Sequence, residues 1–555
     1  MTSAETAYLF RHALLRDAAY QLQTPGDRAR LHELAFFLIE QAFGGRAPEP
    51  PSLEIIDPPK FVPHSTDAVA EELARHARIT VQSSRRADTG GMALLRTIYL
   101  RRAAEHQEQQ YRTEAAANLW QELARLPDFA FKPEALFRAA GAFFSAGRPR
   151  LAEPIVEGAL ALARSSDSWK LQGRLLSILA KVQQQTGRPA LAAETLEQAL
   201  AVARKAGDRW LQGVVLATLA ATHGESGRRD QAEQLYLQAI SIHRDSGNRR
   251  HEGMALSNLA LLQYETGRRE QAEQLYLQAL VIHRELGNRP SEGIVLGNLA
   301  NVYKETGRMN EAERHYNQAL AIAREVGNRR FEGYVLGNLG MVLDETGRVQ
   351  EAGQIYEQAL VLHRDAGNRR FEGIALASLG NIHNKVGHKD LAGQNYRQAL
   401  AIHREIGDRR SEGVVLSNLA VVYASTGRSK EAEVAYEQAL DIARGIGNRR
   451  GEGVVLGQLA CLYRDTGRAE QARQAFAQAL AVHREVGNRL FEGVHLCESA
   501  LCQRSGPSEI SADIWRKGAS ILRELGNTGE LDRHTAAMRQ ACARAGVPPF
   551  DTDFT

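Results

Sequence analysis

Residues 328–367 read NRRFEGYVLGNLGMVLDETGRVQEAGQIYEQALVLHRDAG, and the pattern begins again with NRRFEG at residue 368. Between Asp208 and Arg489 this pattern is written seven times at a constant spacing of 40 residues. In each copy, two apolar stretches with helical spacing are joined by a turn that contains glycine. A fixed period of this length is typical of a solenoid, in which every repeat packs mainly on its neighbours.

The repeat that begins at Asn288 shows how two helices are encoded in each copy. The first helix has an apolar face at i, i+3, i+4 and i+7, formed by Leu296, Leu299, Ala300 and Tyr303. The second helix has a face of the same period, formed by Ala312, Tyr316, Ala319, Leu320 and Ala323. We expect these two faces to close on each other and on the next repeat, with the alanines allowing close approach of the backbones.

Glycine marks the end of both helices. The turn inside the repeat carries Gly-Arg, or Gly-His in one copy, and its glycines are Gly147, Gly187, Gly227, Gly267, Gly307, Gly347, Gly387, Gly427 and Gly467. Between repeats, Gly327-Asn328 and Gly407-Asp408 combine a helix stop with a side chain that can cap the next helix. We therefore predict positive φ angles at these glycines.

The Leu299-Ala300 pair, followed by Tyr303, Ala312, Tyr316 and Ala319, resembles the tetratricopeptide repeat (TPR). The period of 40 residues is most similar to the long-repeat type found in the Pins/LGN scaffolds and in kinesin light chain, although Gln263 stands where an aromatic residue is expected. The resemblance implies an all-α fold, a right-handed α-α superhelical solenoid of tandem helical pairs. It covers residues 132–527, which correspond to about ten repeats.

Outside the array we predict five segments. They are a helical segment at 1–45, a Pro-rich linker at 46–66, a helical adaptor with a degenerate repeat at 67–131, a capping helix at 528–545 and a tail at 546–555. Within the first segment, a helix is expected from Tyr8 to Leu22, and a second helix is expected to begin at Thr24-Pro25.

Short strings near the N-terminus carry a second resemblance. Phe10-Arg11-His12-Ala13-Leu14, Ala18-Ala19-Tyr20, Arg30-Leu31-His32 and Leu73-Ala74-Arg75-His76 resemble the region downstream of the nucleotide-binding module in bacterial STAND signalling ATPases. Such proteins often carry TPRs as sensors. This sequence contains no Gly-x-x-x-x-Gly-Lys-Ser/Thr loop, so we do not expect it to hydrolyse ATP.

Composition limits the function further. The net charge is +3, from 69 basic and 66 acidic residues, which argues against a nonspecific nucleic-acid binder. The four cysteines form no regular spacing, and no apolar run is long enough to span a membrane. The sequence therefore predicts a cytoplasmic protein without zinc, other metals or cofactors, and no catalytic motif supports an enzyme.

Two residue types recur near the end of the second helix. His243, His283, His363, His403 and His483 suggest a ladder, but successive repeats would place them too far apart for one metal ion. We expect each histidine to serve its own helix C-terminus, as a cation or ring donor facing free carbonyls. The arginines that follow, such as Arg364 and Arg404, are expected to be packed stems or ion-pair partners of the Glu-Gly acid in the next repeat.

The first helix also offers a candidate binding stripe. On its second face Asn298, Asn301 and Glu305 align at i, i+3 and i+7, and the resemblance implies that this helix lines a concave groove. A carboxamide can both donate and accept, so a ladder of them can bind successive peptide groups of a partner segment. The candidate residues are Asn258, Asn298, Asn301, Lys304, Glu305, Asn338, Asp344, Asn381, Lys385, Asn418 and Arg464.

Two interpretations of this ladder stay open, since asparagine could equally bond a neighbouring helix and shape the array. We predict a non-enzymatic scaffold that binds a protein or peptide segment in the groove, with no nucleic acid and no membrane as partners. The alternative is the sensor part of a split or truncated STAND-type ATPase, with a signalling ATPase or a cyclase as its partner.

Overall fold

A computed structural model describes residues 20–53, 61–84, 90–110, 112–502 and 509–551. These residues contain 25 α-helices. The chain divides into two compact halves, Met1–Ile282 and His283–Thr555, and the boundary falls inside one helix of the array. The helices that begin in the N-terminal half are Pro25–Ala42, Ala70–Ser83, Gly90–Gln109, Thr113–Ala124, Lys132–Ser145, Pro149–Ser165, Trp169–Gln185, Pro189–Lys205, Arg209–Glu225, Arg229–Asp245, Arg249–Glu265 and Arg269–Glu285.

The C-terminal half continues the same alternation of first and second helices. Its helices are Arg289–Glu305, Met309–Glu325, Arg329–Glu345, Val349–Asp365, Arg369–Lys385, Lys389–Glu405, Arg409–Ser425, Ser429–Gly445, Arg449–Asp465, Ala469–Glu485, Arg489–Ala500, Glu509–Glu524 and Thr528–Ala545. Within each half, consecutive helices pack mainly on each other. The predicted all-α solenoid of helical pairs is thereby confirmed.

Both predicted apolar faces are buried. Leu296, Leu299, Ala300 and Tyr303 form the covered face of the first helix, and Ala312, Tyr316, Ala319, Leu320 and Ala323 form that of the second. Alanine is fully buried at the positions where the helices approach closely, so a larger side chain there would overpack the interface at a cost of about 1–3 kcal/mol. The helical period alone was sufficient to identify this core.

The turns follow the predicted chemistry. Gly347 and Gly367, which end the first and the second helix of one repeat, have φ angles of 81° and 62°. Only glycine adopts this region without strain. The Asn328 side chain caps the next helix by accepting a hydrogen bond of 3.1 Å from the backbone N–H of Phe331. Asn368 makes no such side-chain bond, so the cap is used in most repeats but not in all.

The predictions for the N-terminal region are only partly covered by the structure. The second helix runs from Pro25 to Ala42, and the Thr24 hydroxyl accepts from the backbone N–H of Asp27 as an N-cap. Residues 1–19 lie outside the described part of the chain. They include most of the helix predicted from Tyr8 to Leu22 and the strings at 10–14 and 18–19 that carry the STAND resemblance. The predicted segment boundaries themselves stay predictions.

A buried glutamate held by two arginines joins consecutive repeats. Glu372, in the first turn of its helix, accepts from Arg364 of the preceding repeat at 3.1 Å and from Arg369 of its own repeat at 2.7 Å. Its side chain is 8% exposed, whereas both arginines are about half exposed. The same triplet occurs at Glu292, Glu412, Glu452 and Glu492. The predicted ion pairs with the Glu-Gly acid are confirmed.

The histidine ladder has a different role from the predicted one. His363 and His403 are buried, and their rings lie against a glycine of the first helix of the same repeat, where an added Cβ on Gly333 or Gly373 would be only 2.7 or 2.8 Å from ring Cε1. Burial lowers the pKa of both rings, so they are neutral and are not cations at a helix end. The prediction was wrong because sequence spacing does not show which residue the ring faces.

Candidate functional site

Within the C-terminal half, the first helices form one continuous surface. Consecutive first helices contact each other, whereas consecutive second helices are more widely separated among the described residues. The first helices therefore lie on the inner side of the curvature of this half. We call the solvent-exposed side chains on this inner side the first-helix surface. They belong to helices Arg289–Glu305, Arg329–Glu345, Arg369–Lys385, Arg409–Ser425 and Arg449–Asp465.

Three of the predicted asparagines are engaged inside the array. Asn301 accepts a hydrogen bond of 2.5 Å from the Tyr316 hydroxyl, and its Nδ2 donates across 3.4 Å to Tyr334 of the next repeat. Asn381 likewise accepts from the Tyr396 hydroxyl at 2.6 Å, and from Asn418 of the following repeat at 3.2 Å. These carboxamides link the two helices of a repeat to the next repeat. This agrees with the interpretation in which asparagine bonds a neighbouring helix and shapes the array.

The predicted charged residues also find partners in neighbouring repeats. Lys385 donates to both carboxylate oxygens of Asp344 at 2.7 Å, and Lys304 lies 3.1 Å from the sulfur of Met341. The Lys385–Asp344 ion pair at the surface contributes little to stability. It does, however, engage two charges that were expected to select a partner. Glu305 is exposed on the same helix as Lys304.

Arg464 belongs to a buried cluster near the C-terminal end of the array. It forms an ion pair with Glu498, whose other carboxylate oxygen lies 3.3 Å from Nδ1 of His534. Burial alone would raise the pKa of Glu498, but the hydrogen bond from His534 and the Arg464 guanidinium outweigh burial and lower this pKa to about 2. Arg464 therefore fastens the last helices to the array.

The remaining asparagines are less constrained. Asn298 and Asn338 occupy the same register in consecutive repeats and are half-buried. The Nδ2 of Asn338 is shielded from solvent and has no hydrogen-bond partner among the described residues. Asn258 has this register in the N-terminal half and is exposed. A half-buried carboxamide can bind a peptide group of an added chain through the atoms that stay exposed.

Sequence reasoning missed an exposed apolar row on the first-helix surface. Ile294, Ile374 and Val414 are 45%, 40% and 54% exposed, and the residue four positions after them is Asn298, Ser378 and Asn418 respectively. Residues at i and i+4 share one helix face, so the apolar row runs beside the carboxamides. The signal was present in the sequence, because an apolar residue recurs at this register outside the core face.

The first-helix surface combines exposed apolar side chains with carboxamides. No group of three or more His, Cys, Asp or Glu side chains that could hold a metal ion occurs among the described residues. None of the described helices is long and apolar enough to cross a membrane. What the surface provides is apolar contact beside peptide-like donors and acceptors, over several repeats.

Family comparison supports this assignment of the repeats. A tetratricopeptide repeat family model matches residues 172–245, 211–285, 251–325, 331–405 and 411–485, more than half of the chain. The chain belongs to the tetratricopeptide repeat family. Comparison of this TPR protein with curated protein sequences gives no match.

Several solved structures are similar to parts of this TPR chain. BtubC (BKLC) from P. vanneervenii is 23% identical, with a TM-score of 0.36 over 42% of this chain and 92% of that one. The STAND protein with a TPR sensor from Pyrococcus horikoshii is 14% identical, with a TM-score of 0.48 over 80% and 67%. The quorum sensor NprR from B. thuringiensis is 14% identical, with a TM-score of 0.46 over 62% and 97%. The family assignment rests on the repeat matches and not on these overlaps.

Proposed function

We propose that this TPR protein is a non-enzymatic scaffold that binds a polypeptide segment along the first-helix surface of its C-terminal half. The observation that carries the proposal is the exposed apolar row of Ile294, Ile374 and Val414 beside the register of Asn298 and Asn338. An extended or helical segment needs apolar contact for affinity and carboxamides for its own peptide groups.

The hydrogen bonds inside the array favour a division of labour within the ladder. Asn301, Asn381 and Asn418 hold neighbouring helices in register, so their carboxamides are already partly satisfied. Asn298 and Asn338 are the members we expect to contact the partner. Because the engaged residues prevent the surface from rearranging, the segment binds a preformed surface at a smaller entropic cost.

The test uses random short peptides displayed on phage and selected on the full-length protein. Affinities of the selected peptides are then measured for the parent and for an Ile374→Asp variant, which places an unpaired charge in the apolar row. We expect at least about a fivefold loss of affinity, because a buried charge at an interface needs a partner. Val361→Asp is the matched control, since Val361 is 55% exposed on a second helix.

Equal affinity of the Ile374→Asp and Val361→Asp variants would place the binding site elsewhere and refute the proposal. The ladder is tested with a triple variant, Asn298→Ala, Asn338→Ala and Asn418→Ala, with folding monitored by circular dichroism. A folded triple variant that keeps the parent affinity would show that the asparagines are structural.

The sensor role in a split STAND-type system stays a prediction. It differs from the scaffold in requiring a nucleotide-binding module from another chain, with a signalling ATPase or a cyclase as partner. A pull-down from the source cell separates the two, because recovery of a nucleotide-binding ATPase or a cyclase with this chain would favour the sensor role and count against the scaffold.

A further inference from the structure

A pocket of about 290 Å³ opens on the first-helix surface between the repeats that begin at Asp408 and Asn448. Its apolar wall is formed by Gly413, Val414, Ala439, Ile442, Ala443 and Val455. It is therefore continuous with the apolar row through Val414 and with the carboxamide ladder through Asn418, which also lines it.

We use the word layer for one repeat together with the start of the next repeat. The pocket exists because one of the layers that carry the first-helix surface lacks a histidine or phenylalanine ring at a position that such a ring fills in the others. In the repeats of Gly333, Gly373 and Gly453, a histidine ring lies 2.7–2.8 Å from the place where a Cβ on that glycine would be. At Gly413 the corresponding residue, 443, is alanine, and the nearest side chain is Ile442 at 3.2 Å.

A second kind of layer shows that an aromatic side chain fits this space. In the repeat of Gly293, residue 323 is also alanine, but Phe331 of the next repeat compensates, with its ring 3.2 Å from the place of a Cβ on Gly297. In the pocket layer, the residue equivalent to Phe331 is Gly451. Both sources of a ring are therefore missing from the same layer, and the space of an aromatic side chain is left open toward the first-helix surface.

The volume of the pocket and the charge of its rim indicate which side chain it can bind. An apolar cavity of about 150 Å³ accommodates benzene, so this pocket is large enough for a phenyl, phenol or indole ring. Arg410 and Arg450 line its rim and are exposed, and neither guanidinium has an acidic partner among the described residues. The arginines one position before them, Arg409 and Arg449, are both paired with glutamate. The two guanidinium groups at the rim can therefore bind an anion next to the ring.

We propose that this pocket receives an aromatic side chain of the bound segment, with an adjacent Asp or Glu of the segment held by Arg410 and Arg450. The inference rests on the proposed function and adds its main specificity determinant. The buried ring supplies apolar affinity, and the unpaired arginines select an acidic neighbour over a basic one.

The main test fills the pocket from within. Gly451→Phe reproduces the Phe331 arrangement. The three atoms nearest to the new Cβ all belong to the Asn448 side chain, which can take the position that Asn328 has beside Phe331. Ser411→Phe is the matched control, since it reproduces the stacked His363–Phe371 pair in a layer that already holds His403. Peptides selected on the parent are expected to contain an aromatic residue next to Asp or Glu. They should lose at least about tenfold in affinity for Gly451→Phe and keep their affinity for Ser411→Phe.

A second variant does not touch the packing. Arg410→Glu combined with Arg450→Glu reverses the charge of the rim at two exposed positions and should weaken the same peptides at least about tenfold, with the larger effect at low salt. If Gly451→Phe does not fold, this variant decides the question. A third arm titrates free 3-phenylpropionate, which carries a ring and a carboxylate without a peptide backbone.

The outcomes separate the two proposals. Peptides that bind Gly451→Phe or the double arginine variant as well as the parent, but lose affinity for Ile374→Asp, would overturn the pocket assignment and leave the scaffold function standing. Binding of free 3-phenylpropionate as tight as that of the peptides would identify a small-molecule site and would also overturn it. Failure to select any peptide would count against both.

Discussion

Two glycines of one helix provide a strict test of how the repeats pack. Gly333 and Gly337 lie one turn apart in helix Arg329–Glu345. A Cβ on Gly333 would lie 2.7 Å from Cε1 of the buried His363 ring, while a Cβ on Gly337 would meet nothing within 4 Å. We therefore expect Gly333→Ala and Gly337→Ala to have opposite effects on stability.

The magnitudes follow from two opposing contributions. Alanine stabilises a helix interior by about 0.8–1.0 kcal/mol relative to glycine, and this gain is shared by both variants. Overpacking a rigid interior costs about 1–3 kcal/mol and applies only to Gly333→Ala. Gly337→Ala should thus stabilise the helix by about 1 kcal/mol. The difference between the variants isolates the steric contribution of about 1–3 kcal/mol.

The assay is native-state hydrogen exchange of the amides of helix Arg329–Glu345, which reports a local free energy of opening and does not assume two-state unfolding of a long array. A double-mutant cycle identifies the cause, because the penalty of Gly333→Ala should disappear in a His363→Ala background. The reasoning is refuted if Gly333→Ala is as stabilising as Gly337→Ala, or if its penalty persists without the His363 ring.

Three further predictions concern the pH dependence, the ion clamp and the C-terminal end. Burial, assisted by the neighbouring His251, lowers the pKa of His243 from 6.5 to about 4, so the unfolded chain binds more protons between these values. Stability should be complete above about pH 6.5 and fall as the pH drops toward 4, with a shallower dependence in a His243→Leu variant during thermal unfolding. Glu372→Ala should destabilise its repeat by about 1.5–3 kcal/mol in hydrogen exchange, because two charge-assisted bonds to a buried carboxylate are lost. The exposed Glu351→Ala serves as a control without measurable effect. Deletion of helix Thr528–Ala545 should increase exchange in its neighbour Glu509–Glu524, where it covers part of the core, and should leave helix Arg329–Glu345 unchanged.

Much of the fold followed from local chemistry. The helical faces around Leu299 and Tyr316 were predictable because the period of 3.6 residues decides which side chains share a face. The turn at Gly347 was predictable because a positive φ requires glycine. Both properties depend only on residues that are close in sequence.

The candidate site was less predictable because it depends on contacts between repeats. The sequence places Asn301 and Asn381 on the right helix face, but it does not show that Tyr316 and Tyr396 already occupy their carbonyl oxygens. Nor does helical spacing reveal that the His363 ring faces Gly333 of the first helix instead of the end of its own helix, or that burial lowers its pKa. The distance between neighbouring repeats decides these contacts, and only the folded array provides it.

The clamp of a buried glutamate between two arginines gives the repeats a common type of junction. Excision of residues 328–367 would bring Arg324 next to Glu372 and Ala323 next to Phe371, which are the same residue types that meet now at Glu332 and Phe331. The shortened protein would keep the glutamate clamp at the new junction and lose one repeat of its inner face, although Lys385 would then stand opposite Lys304 instead of Asp344. Gene duplication or unequal recombination could therefore change the reach of this protein in steps of one repeat while the clamp is kept at every junction of this type.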